Sequence, residues 1–264
     1  MDLQLKNKRA LITGSTSGIG YAIAKSLAEE GTEVILNGRT QQRIDKAIKT
    51  LQETNPTAKI SSIKADFRDI DSVKSLIKKI ESVDILINNV GIISSQTFEN
   101  TSDKDWYEMF EVNVMSSVRL SKAFLPKMKE NNWGRIIFIS SECAMLVPED
   151  LIAYSTTKAA MLSISRGLAQ TTRGTDVTVN SVLPGSTLTE GAKQFLKEQA
   201  TKNQTSEKEI ADNFFKNVRT TSLLERFANP KEIADMVVFL SSPLSSATNG
   251  SAIKADGGSV PGIF

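Results

Sequence analysis

Short apolar segments rich in β-branched residues alternate with longer segments of helical periodicity along most of this 264-residue chain. The short segments predict seven β-strands, at residues 9–13, 33–37, 59–65, 83–88, 135–140, 175–182 and 251–255. Helical patterns lie between them, the first with Ile19, Ala22, Ile23 and Leu27 on one face and the others at about residues 41–54, 70–80, 102–130, 154–172 and 230–240.

Alternation of this kind implies parallel strands joined by right-handed crossovers. The predicted strands are apolar at nearly every position, as expected when helices cover both faces of a sheet. A chain of 264 residues is within the usual size of one such unit. We therefore predict an α/β fold of the Rossmann type, a doubly wound parallel seven-stranded sheet with helices on both faces, as a single domain over residues 1–264.

The residue counts exclude several kinds of site. The chain has no histidine and one cysteine, Cys143, which excludes a Ser-His-Asp triad, imidazole base catalysis, a His-ligated or Cys-ligated metal cluster and an intrachain disulfide. With 32 basic and 30 acidic residues, it lacks the concentrated positive charge of a nucleic-acid-binding domain. Its longest strictly apolar runs, such as residues 236–240, are far shorter than the ~20 residues of a spanning helix. We expect a cytoplasmic protein with no metal, no nucleic-acid partner and no membrane contact.

One segment, residues 186–228, breaks the alternation of strands and helices. It is polar and charged, but it carries apolar side chains at helical spacings, namely Phe195, Leu196, Phe214, Phe215 and Val218. It could be a solvated helical insertion that packs its own small apolar face, or a lid over a substrate pocket. We predict a lid, because the segment follows directly on the end of a predicted strand.

A glycine-rich turn follows the first predicted strand. Gly14, Gly18 and Gly20 have the spacing G-x-x-x-G-x-G, and a helix begins there. Glycines allow a sharp turn close to a ligand, and the helix N-terminus offers free N–H groups to a pyrophosphate. In a strand–helix series this position predicts a dinucleotide site. We expect the cofactor to contact Gly14, Ser15, Thr16, Ser17, Gly18, Ile19 and Gly20, with the three hydroxyls available to phosphate.

Further motifs give the chain a specific resemblance. In chain order they are Asn88-Asn89-Val90-Gly91, then Asn113, Ser141, Tyr154 and Lys158, then Pro184-Gly185 with Thr189, and finally Asp256-Gly257-Gly258. With the glycine turn, they resemble the short-chain dehydrogenase/reductase (SDR) family from about residue 5 to 258. The chain is similar to the bacterial 3-oxoacyl-(acyl-carrier-protein) reductases and related keto-reductases. It departs from the family in having Val90 in place of alanine, and a longer insertion after Gly185.

The resemblance implies a catalytic tetrad of Asn113, Ser141, Tyr154 and Lys158. Tyr154 and Lys158 are four residues apart on a predicted helix, so they share a face. We expect the Lys158 ammonium to lower the pKa of Tyr154, which would then exchange a proton with the substrate oxygen. Ser141, at a strand end, would hold the carbonyl oxygen. By resemblance, Lys158 binds the nicotinamide ribose, and Asn113 perturbs its helix and binds a water that relays protons through Lys158.

Two residues beside Ser141 leave their roles open. Glu142 either binds a polar substrate or faces solvent. For Cys143 we expect a small apolar surface in the pocket wall.

The end of the second strand predicts the choice of cofactor. NAD-dependent relatives usually carry an acidic residue there to bind the ribose 2′-hydroxyl. This chain has Gly38 at that position, and Arg39 follows with a guanidinium suited to a phosphate. NADP(H) is therefore predicted, with NAD(H) as the weaker alternative; otherwise Arg39 is an exposed loop charge. By resemblance, the remaining contacts come from Asp66, Phe67, Asn89, Val90, Gly91, Tyr154, Lys158, Pro184, Gly185 and Thr189.

These observations predict an oxidoreductase that transfers a hydride between NADP(H) and a small carbonyl or alcohol substrate. One alternative is an NAD(P)-dependent dehydrogenase of a sugar or polyol. Another is a catalytically idle nucleotide-binding regulator, which would have no reason to keep Ser141, Tyr154 and Lys158 together. The resemblance also implies a homotetramer, assembled through the long helices of the fourth and fifth crossovers and the C-terminal strand region.

Overall fold

Seven parallel strands form one sheet in the order β3-β2-β1-β4-β5-β6-β7. The structure is a computed structural model and describes residues 1–263. The strands are β1 (Arg9–Ile12), β2 (Glu33–Gly38), β3 (Ile60–Lys64), β4 (Ile85–Asn88), β5 (Trp133–Ile139), β6 (Asp176–Pro184) and β7 (Ala252–Ala255). The predicted seven-stranded parallel sheet is confirmed.

Helices cover both faces of the sheet. They are α1 (Gly18–Glu29), α2 (Gln41–Thr54), α3 (Ile70–Lys79), α4 (Asp103–Phe110), α5 (Ser116–Glu130), α6 (Cys143–Leu146), α7 (Ile152–Gln170), α8 (Glu190–Lys202), α9 (Glu207–Asn217) and α10 (Pro230–Ser241). One core packs α1, α2 and α10 against the sheet, and the other packs α3, α5 and α7. This is the single-domain Rossmann architecture that was predicted. Within residues 1–263, none of the helices has the length and apolar character to cross a membrane.

Local sequence fixes where several helices begin. Ser102 and Asp105 form a reciprocal capping box at the start of α4, and Asn229 and Glu232 form another at the start of α10. Pro230 occupies the first turn of α10, where its missing N–H costs nothing. These signals explain why α10 starts at the residue that its sequence pattern predicts.

The order of the strands determines where a ligand can bind. β1 pairs with both β2 and β4, so the chain reverses its direction of winding at β1. Open α/β sheets bind ligands outside the carboxyl ends of the strands at this switch point. The segments that follow β1, β4, β5 and β6 all emerge at this edge, and they carry most of the predicted site residues.

The helical segment predicted at about residues 102–130 is interrupted. α4 and α5 are joined by a π-helical turn at Glu111–Met115, and Asn113 lies fully buried within it. A π turn widens the helix and often marks a functional position. The family resemblance implied such a perturbation at Asn113.

The insertion at residues 186–228 is helical and packs partly on itself. Phe214, Phe215 and Phe227 form a cluster with ring centroids 5.0–5.2 Å apart. Of the apolar side chains singled out in the sequence, Leu196 and Phe215 are buried, whereas Phe195 and Val218 remain about half exposed. The segment therefore has its own small core and also leaves apolar surface uncovered.

Candidate active site

A cavity of about 340 Å³ lies at the carboxyl edge of the sheet. Ser141 reaches it from the end of β5, Tyr154 and Lys158 from α7, and Gly185 from the end of β6. Of the other predicted site residues, the cavity is also lined by Ile19, Asn89, Gly91, Pro184 and Thr189. The structure therefore brings together three of the four predicted catalytic side chains.

Lys158 is a buried cation beside Tyr154. Its Nζ lies 5.6 Å from the Tyr154 ring centroid and donates a hydrogen bond of 2.9 Å to the main-chain oxygen of Ile139. Ser140 Oγ donates to the main-chain oxygen of Lys158 at 2.8 Å, which ties α7 to the end of β5. Burial lowers the pKa of Lys158 to about 8, because the charged form loses hydration.

The pKa of Tyr154 departs from the expected direction. Burial raises the pKa of the phenol above its ordinary value, and the neighbouring Cys143 and Glu142 add to the increase. A hydrogen bond with Ser141 acts in the opposite direction but does not reverse the increase. The expected lowering by Lys158 is therefore wrong for this structure, because loss of hydration dominates. Tyr154 is protonated at neutral pH, the form that a proton donor requires.

Ser141 is held in place by the turn after β5. It is buried, and its Oγ accepts a hydrogen bond of 3.1 Å from the main-chain N–H of Cys143. Its hydrogen bond with Tyr154 places the two hydroxyls side by side. A carbonyl oxygen in the cavity could contact both of them.

Asn113 does not line the cavity but supports its wall. Its Oδ1 accepts a hydrogen bond of 2.7 Å from the N–H of Ile92, and its Nδ2 donates to Ile92 O at 2.9 Å and to Thr157 Oγ1 at 3.0 Å. These bonds join the π-helical turn, the segment after β4 and α7. A role in a water-mediated proton relay stays a prediction.

A second cavity of about 220 Å³ continues the first along the sheet edge. Both cavities are lined by Asn89, Gly91 and Ile92. Of the predicted cofactor residues, the second cavity is also lined by Gly14, Thr16, Ser17, Arg39, Asp66, Phe67 and Val90. The two cavities form one elongated groove, which runs from the end of β2 to Tyr154.

Three residues of the glycine turn lie outside this groove. Ser15 is fully buried, and its Oγ donates to Ile12 O at 2.8 Å and accepts from Asn37 N–H at 2.9 Å. The hydroxyl of Ser15, expected to be available to phosphate, is therefore turned inward. Gly20 serves close packing, because a Cβ there would lie 2.5 Å from the main-chain oxygen of Gly14. Gly18 lines a neighbouring pocket on the outer side of α1.

Two exposed arginines stand at the far end of the groove. Arg39 and Arg43 both line the second cavity, and neither side chain makes a hydrogen bond or ion pair with any residue among 1–263. Arg43 was not predicted from the sequence, although its position four residues after Arg39 and within the first turn of α2 was a usable signal. Arg68 also lines this cavity, but its guanidinium is paired with Glu108 at 2.5 Å.

Glu142 and Cys143 are both buried in the wall of the first cavity. Glu142 does not face solvent; it forms an ion pair with Arg219, with Oε1 3.0 Å from Nε. Burial raises the pKa of the Cys143 thiol, so this residue behaves as a small apolar group. Arg219 was missed in the sequence, where it is 77 residues from its partner and follows α9 without any motif.

The comparisons with known proteins agree with this geometry. The sequence matches the short chain dehydrogenase family over residues 8–200. The uncharacterized oxidoreductase YvaG of Bacillus subtilis (strain 168) is 46% identical over 264 residues, covering 100% of both chains. The 3-oxoacyl-[acyl-carrier-protein] reductase FabG of Aquifex aeolicus (strain VF5) is 32% identical over 269 residues, covering 98% of this chain and 99% of the relative.

Similarity to a solved structure extends over the whole fold. The crystal structure of L-sorbose reductase from Gluconobacter frateurii, complexed with NADPH and L-sorbose, superposes with a TM-score of 0.94. The two sequences are 31% identical, and 100% of each chain is covered. The resemblance inferred from the motifs is confirmed: the chain belongs to the short-chain dehydrogenase/reductase family.

Proposed function

We propose that this protein is an NADP(H)-dependent keto-reductase. The observation that carries the proposal is one continuous groove with Ser141, Tyr154 and Lys158 at one end and the unpaired Arg39 and Arg43 at the other. Chemistry and cofactor recognition are thereby separated along a single binding surface.

The residues of the groove fit the cofactor. Gly91 borders both cavities without a side chain, so a ligand can lie against its backbone. Arg39 and Arg43 present guanidinium groups to a 2′-phosphate. The sorbose reductase, with the same fold, was crystallised with NADPH. NADPH would supply the hydride when bound, and NAD(H) remains the weaker alternative.

The protein's own contribution is to handle one proton. Ser141 Oγ binds the carbonyl oxygen, and the protonated Tyr154 donates its proton to that oxygen as negative charge develops there. The nearby Lys158 ammonium stabilises the phenolate that remains. Asn113 acts through α7 and the segment after β4, which it holds in register.

The two alternatives, a sugar or polyol dehydrogenase and an idle nucleotide-binding regulator, predict different activities. The relatives include a 3-oxoacyl-[acyl-carrier-protein] reductase and an L-sorbose reductase, both named for reduction, which favours a reductase over a dedicated dehydrogenase of a sugar or polyol. An idle regulator would bind NADPH and leave it unchanged.

An assay of NADPH oxidation tests the function. Purified protein is mixed with NADPH and a panel of ketones, including simple ketones, hydroxyketones, a diketone and a 3-oxoacyl thioester. We expect turnover with at least one class, and a turnover by Tyr154→Phe that is lower by roughly 10²–10⁴-fold. Binding of NADPH without reduction of any ketone would support the regulator and contradict the reductase.

The insertion at residues 186–228 is proposed to be a substrate lid. It meets the groove at both ends: Thr189 lines the first cavity near its start, and Arg219 lines the same cavity from the segment after α9. Substitutions on the exposed Phe195 should change KM more than kcat if the segment closes over substrate.

A homotetramer is proposed for the assembly. The outward face of α7 presents the small residues Ala159, Ser163 and Gly167, all exposed, which would allow another helix to approach closely. Tyr107 and Phe110 on α4 are 75% and 40% exposed. Light scattering should give four times the chain mass of 28.8 kDa, and a particle of one chain mass would contradict the proposal.

The cytoplasmic location stays a prediction from the single cysteine, to be tested by cell fractionation.

A further inference from the structure

Glu142 has one carboxylate oxygen that is buried and unpartnered. The residue is 3% exposed and lines the first cavity. Its Oε1 accepts hydrogen bonds from Arg219 Nε at 3.0 Å and from Ser186 Oγ at 3.4 Å. Its Oε2 has no hydrogen-bond partner among residues 1–263. Buried carboxylate oxygens without partners are rare, because a charged acceptor loses its hydration with no compensation.

Gly185 lies directly beside this oxygen. Oε2 lies 2.8 Å from the position that a Cβ on Gly185 would occupy, and Gly185 also lines the cavity. Main-chain atoms of Asp256 lie 2.6–2.7 Å from the same Cβ position, so glycine is required for this close packing around the carboxylate. Because Glu142 lines the cavity, rotation of its carboxylate would present Oε2 to a hydrogen-bond donor there.

Arg219 supplies the complementary group. Its Nε binds Glu142, its Nη2 lies 3.8 Å from Cys143 Sγ, and its Nη1 makes no hydrogen bond with residues 1–263. The side chain is 13% exposed and lines the same cavity. The pair thus offers one acceptor and one donor, and its two charges balance.

Resting on the proposed function, we infer that Glu142 and Arg219 select a neutral ketone that carries a hydroxyl group one or two carbons from its carbonyl. The hydroxyl donates to Glu142 Oε2 and accepts from Arg219 Nη1. Glu142 follows directly on Ser141, whose hydroxyl binds the carbonyl oxygen, and both residues line the same cavity, so the substrate hydroxyl must lie near the carbonyl.

The same pair discriminates against two other substrate classes. A simple alkyl ketone leaves both polar groups without partners. A keto acid brings a carboxylate next to Glu142, and Arg219 is already neutralised by that residue. Sites built to bind a substrate hydroxyl strongly reject analogues that lack it.

Matched substrates test the inference. Hydroxyacetone and 2-butanone differ only by hydroxyl against methyl, as do 4-hydroxy-2-butanone and 2-pentanone; pyruvate is the acidic analogue. We expect kcat/KM of the parent to favour the hydroxyketone by at least about tenfold in one pair. We expect pyruvate to be reduced less efficiently than 2-butanone.

Variants assign the preference to the pair. Glu142→Met should reduce the hydroxyketone preference to less than about threefold and raise the ratio of kcat/KM for pyruvate to that for 2-butanone, because Arg219 becomes an unpaired cation. Glu149→Met, an exposed position outside the cavity, is the matched control and should change none of these ratios. If Glu142→Met does not fold, Glu142→Gln is tested in its place. Its kcat/KM for pyruvate relative to that for hydroxyacetone must then be higher than in the parent.

Several results would overturn the inference. One is a parent whose kcat/KM favours neither hydroxyketone. Another is a Glu142→Met protein whose kcat/KM falls equally for all substrates. The third is a Glu142→Gln protein whose ratio of kcat/KM for pyruvate to that for hydroxyacetone is unchanged. A parent that binds NADPH and reduces no ketone would instead contradict the proposed function, so the two failures are distinguishable.

Discussion

Glu190, the first residue of α8, accepts a hydrogen bond of 2.8 Å from the main-chain N–H of Gly18, the first residue of α1. The N-terminus of α1 is the part of the glycine turn where a pyrophosphate would bind, since its N–H groups and helix dipole favour an anion. The insertion therefore places its own negative charge at the entrance of the cofactor groove. Movement of α8 and binding of the cofactor should influence each other.

The charge of Glu190 should weaken NADPH binding. Glu190→Gln keeps an acceptor oxygen for Gly18 and removes the charge, so we expect the Kd for NADPH to fall by about two- to fivefold at low ionic strength, and less in high salt because exposed charges are screened. Isothermal titration calorimetry at two salt concentrations measures this. Glu198→Gln, two turns further along α8, is the control and should leave the Kd unchanged.

Removal of the Tyr154 hydroxyl should separate chemistry from binding. Tyr154→Phe keeps the ring and loses the proton donor, so kcat should fall by roughly 10²–10⁴-fold while the Kd for NADPH stays within a few-fold. Steady-state kinetics and a binding titration on the same preparation measure both. A variant that retains more than half of the parental kcat would refute the assignment of Tyr154.

The cofactor preference should depend on Arg39 and Arg43 together. One charge-assisted hydrogen bond contributes about 1.5–3 kcal/mol, which corresponds to roughly a 10- to 150-fold preference for NADPH over NADH. Arg39→Ser should remove most of this preference, and Arg43→Ser should remove a further part. The ratio of kcat/KM for the two cofactors measures it, and a parent that prefers NADH would disprove the role of both arginines.

Reversal of the preference requires one more change than the sequence indicates. Gly38→Asp would supply the missing acid, but a Cβ at Gly38 would lie 2.6 Å from Thr16 Cγ2 and 3.0 Å from Ile44 Cγ1. We expect Gly38→Asp with Arg39→Ser to bind both cofactors weakly. Addition of Thr16→Ser removes the obstructing methyl group and should then give a preference for NADH. Equal NADH activity with and without Thr16→Ser would show that this contact yields easily.

Activity and stability should respond to alkaline pH in opposite directions. The pKa of Lys158 is lowered by burial from 10.5 to about 8 in the folded protein. Between these values the unfolded chain binds more protons, so the contribution of Lys158 to the free energy of unfolding rises with pH. The reaction needs the ammonium, so kcat/KM for reduction should fall above about pH 8. The pKa of Tyr154 is raised, which keeps the phenol protonated through this range.

Kinetics and denaturant titrations from pH 7 to 10.5 measure both effects. Lys158→Met should lose the stability increase between pH 8 and 10.5, because the titrating group is gone. A parent whose kcat/KM is constant up to pH 10 would contradict the required charge.

The periodicity of the sequence predicted the fold because it reports burial directly. The helix predicted at residues 41–54 is α2, and the strands fall within a few residues of their predicted bounds. Hydrophobic periodicity could not predict the π-helical turn at Glu111–Met115. It is accompanied by hydrogen bonds between Asn113 and Ile92, 21 residues away, and local periodicity contains no information on such a partner.

The motifs placed residues at the correct edge of the sheet but did not orient their side chains. Ser15 and Thr16 are neighbours in one motif, yet the first points inward and the second lines the groove. The contact of Glu142 with Arg219 arises only when the insertion folds back over the end of β5. The direction of the Tyr154 pKa shift was also unpredictable, because it depends on how much water the folded site excludes.

The π-helical turn at Glu111–Met115 makes chain length a constraint that substitution cannot relieve. The wide turn holds one residue more than an α turn needs, so deletion of one residue there would restore an ordinary α-helix and let α5 keep its direction. Leu120 and Phe124 would stay buried against the sheet, whereas Asn113 would lose its bonds to Ile92 and Thr157. A one-residue deletion at this turn should therefore preserve the fold and damage only the active-site wall that Asn113 supports.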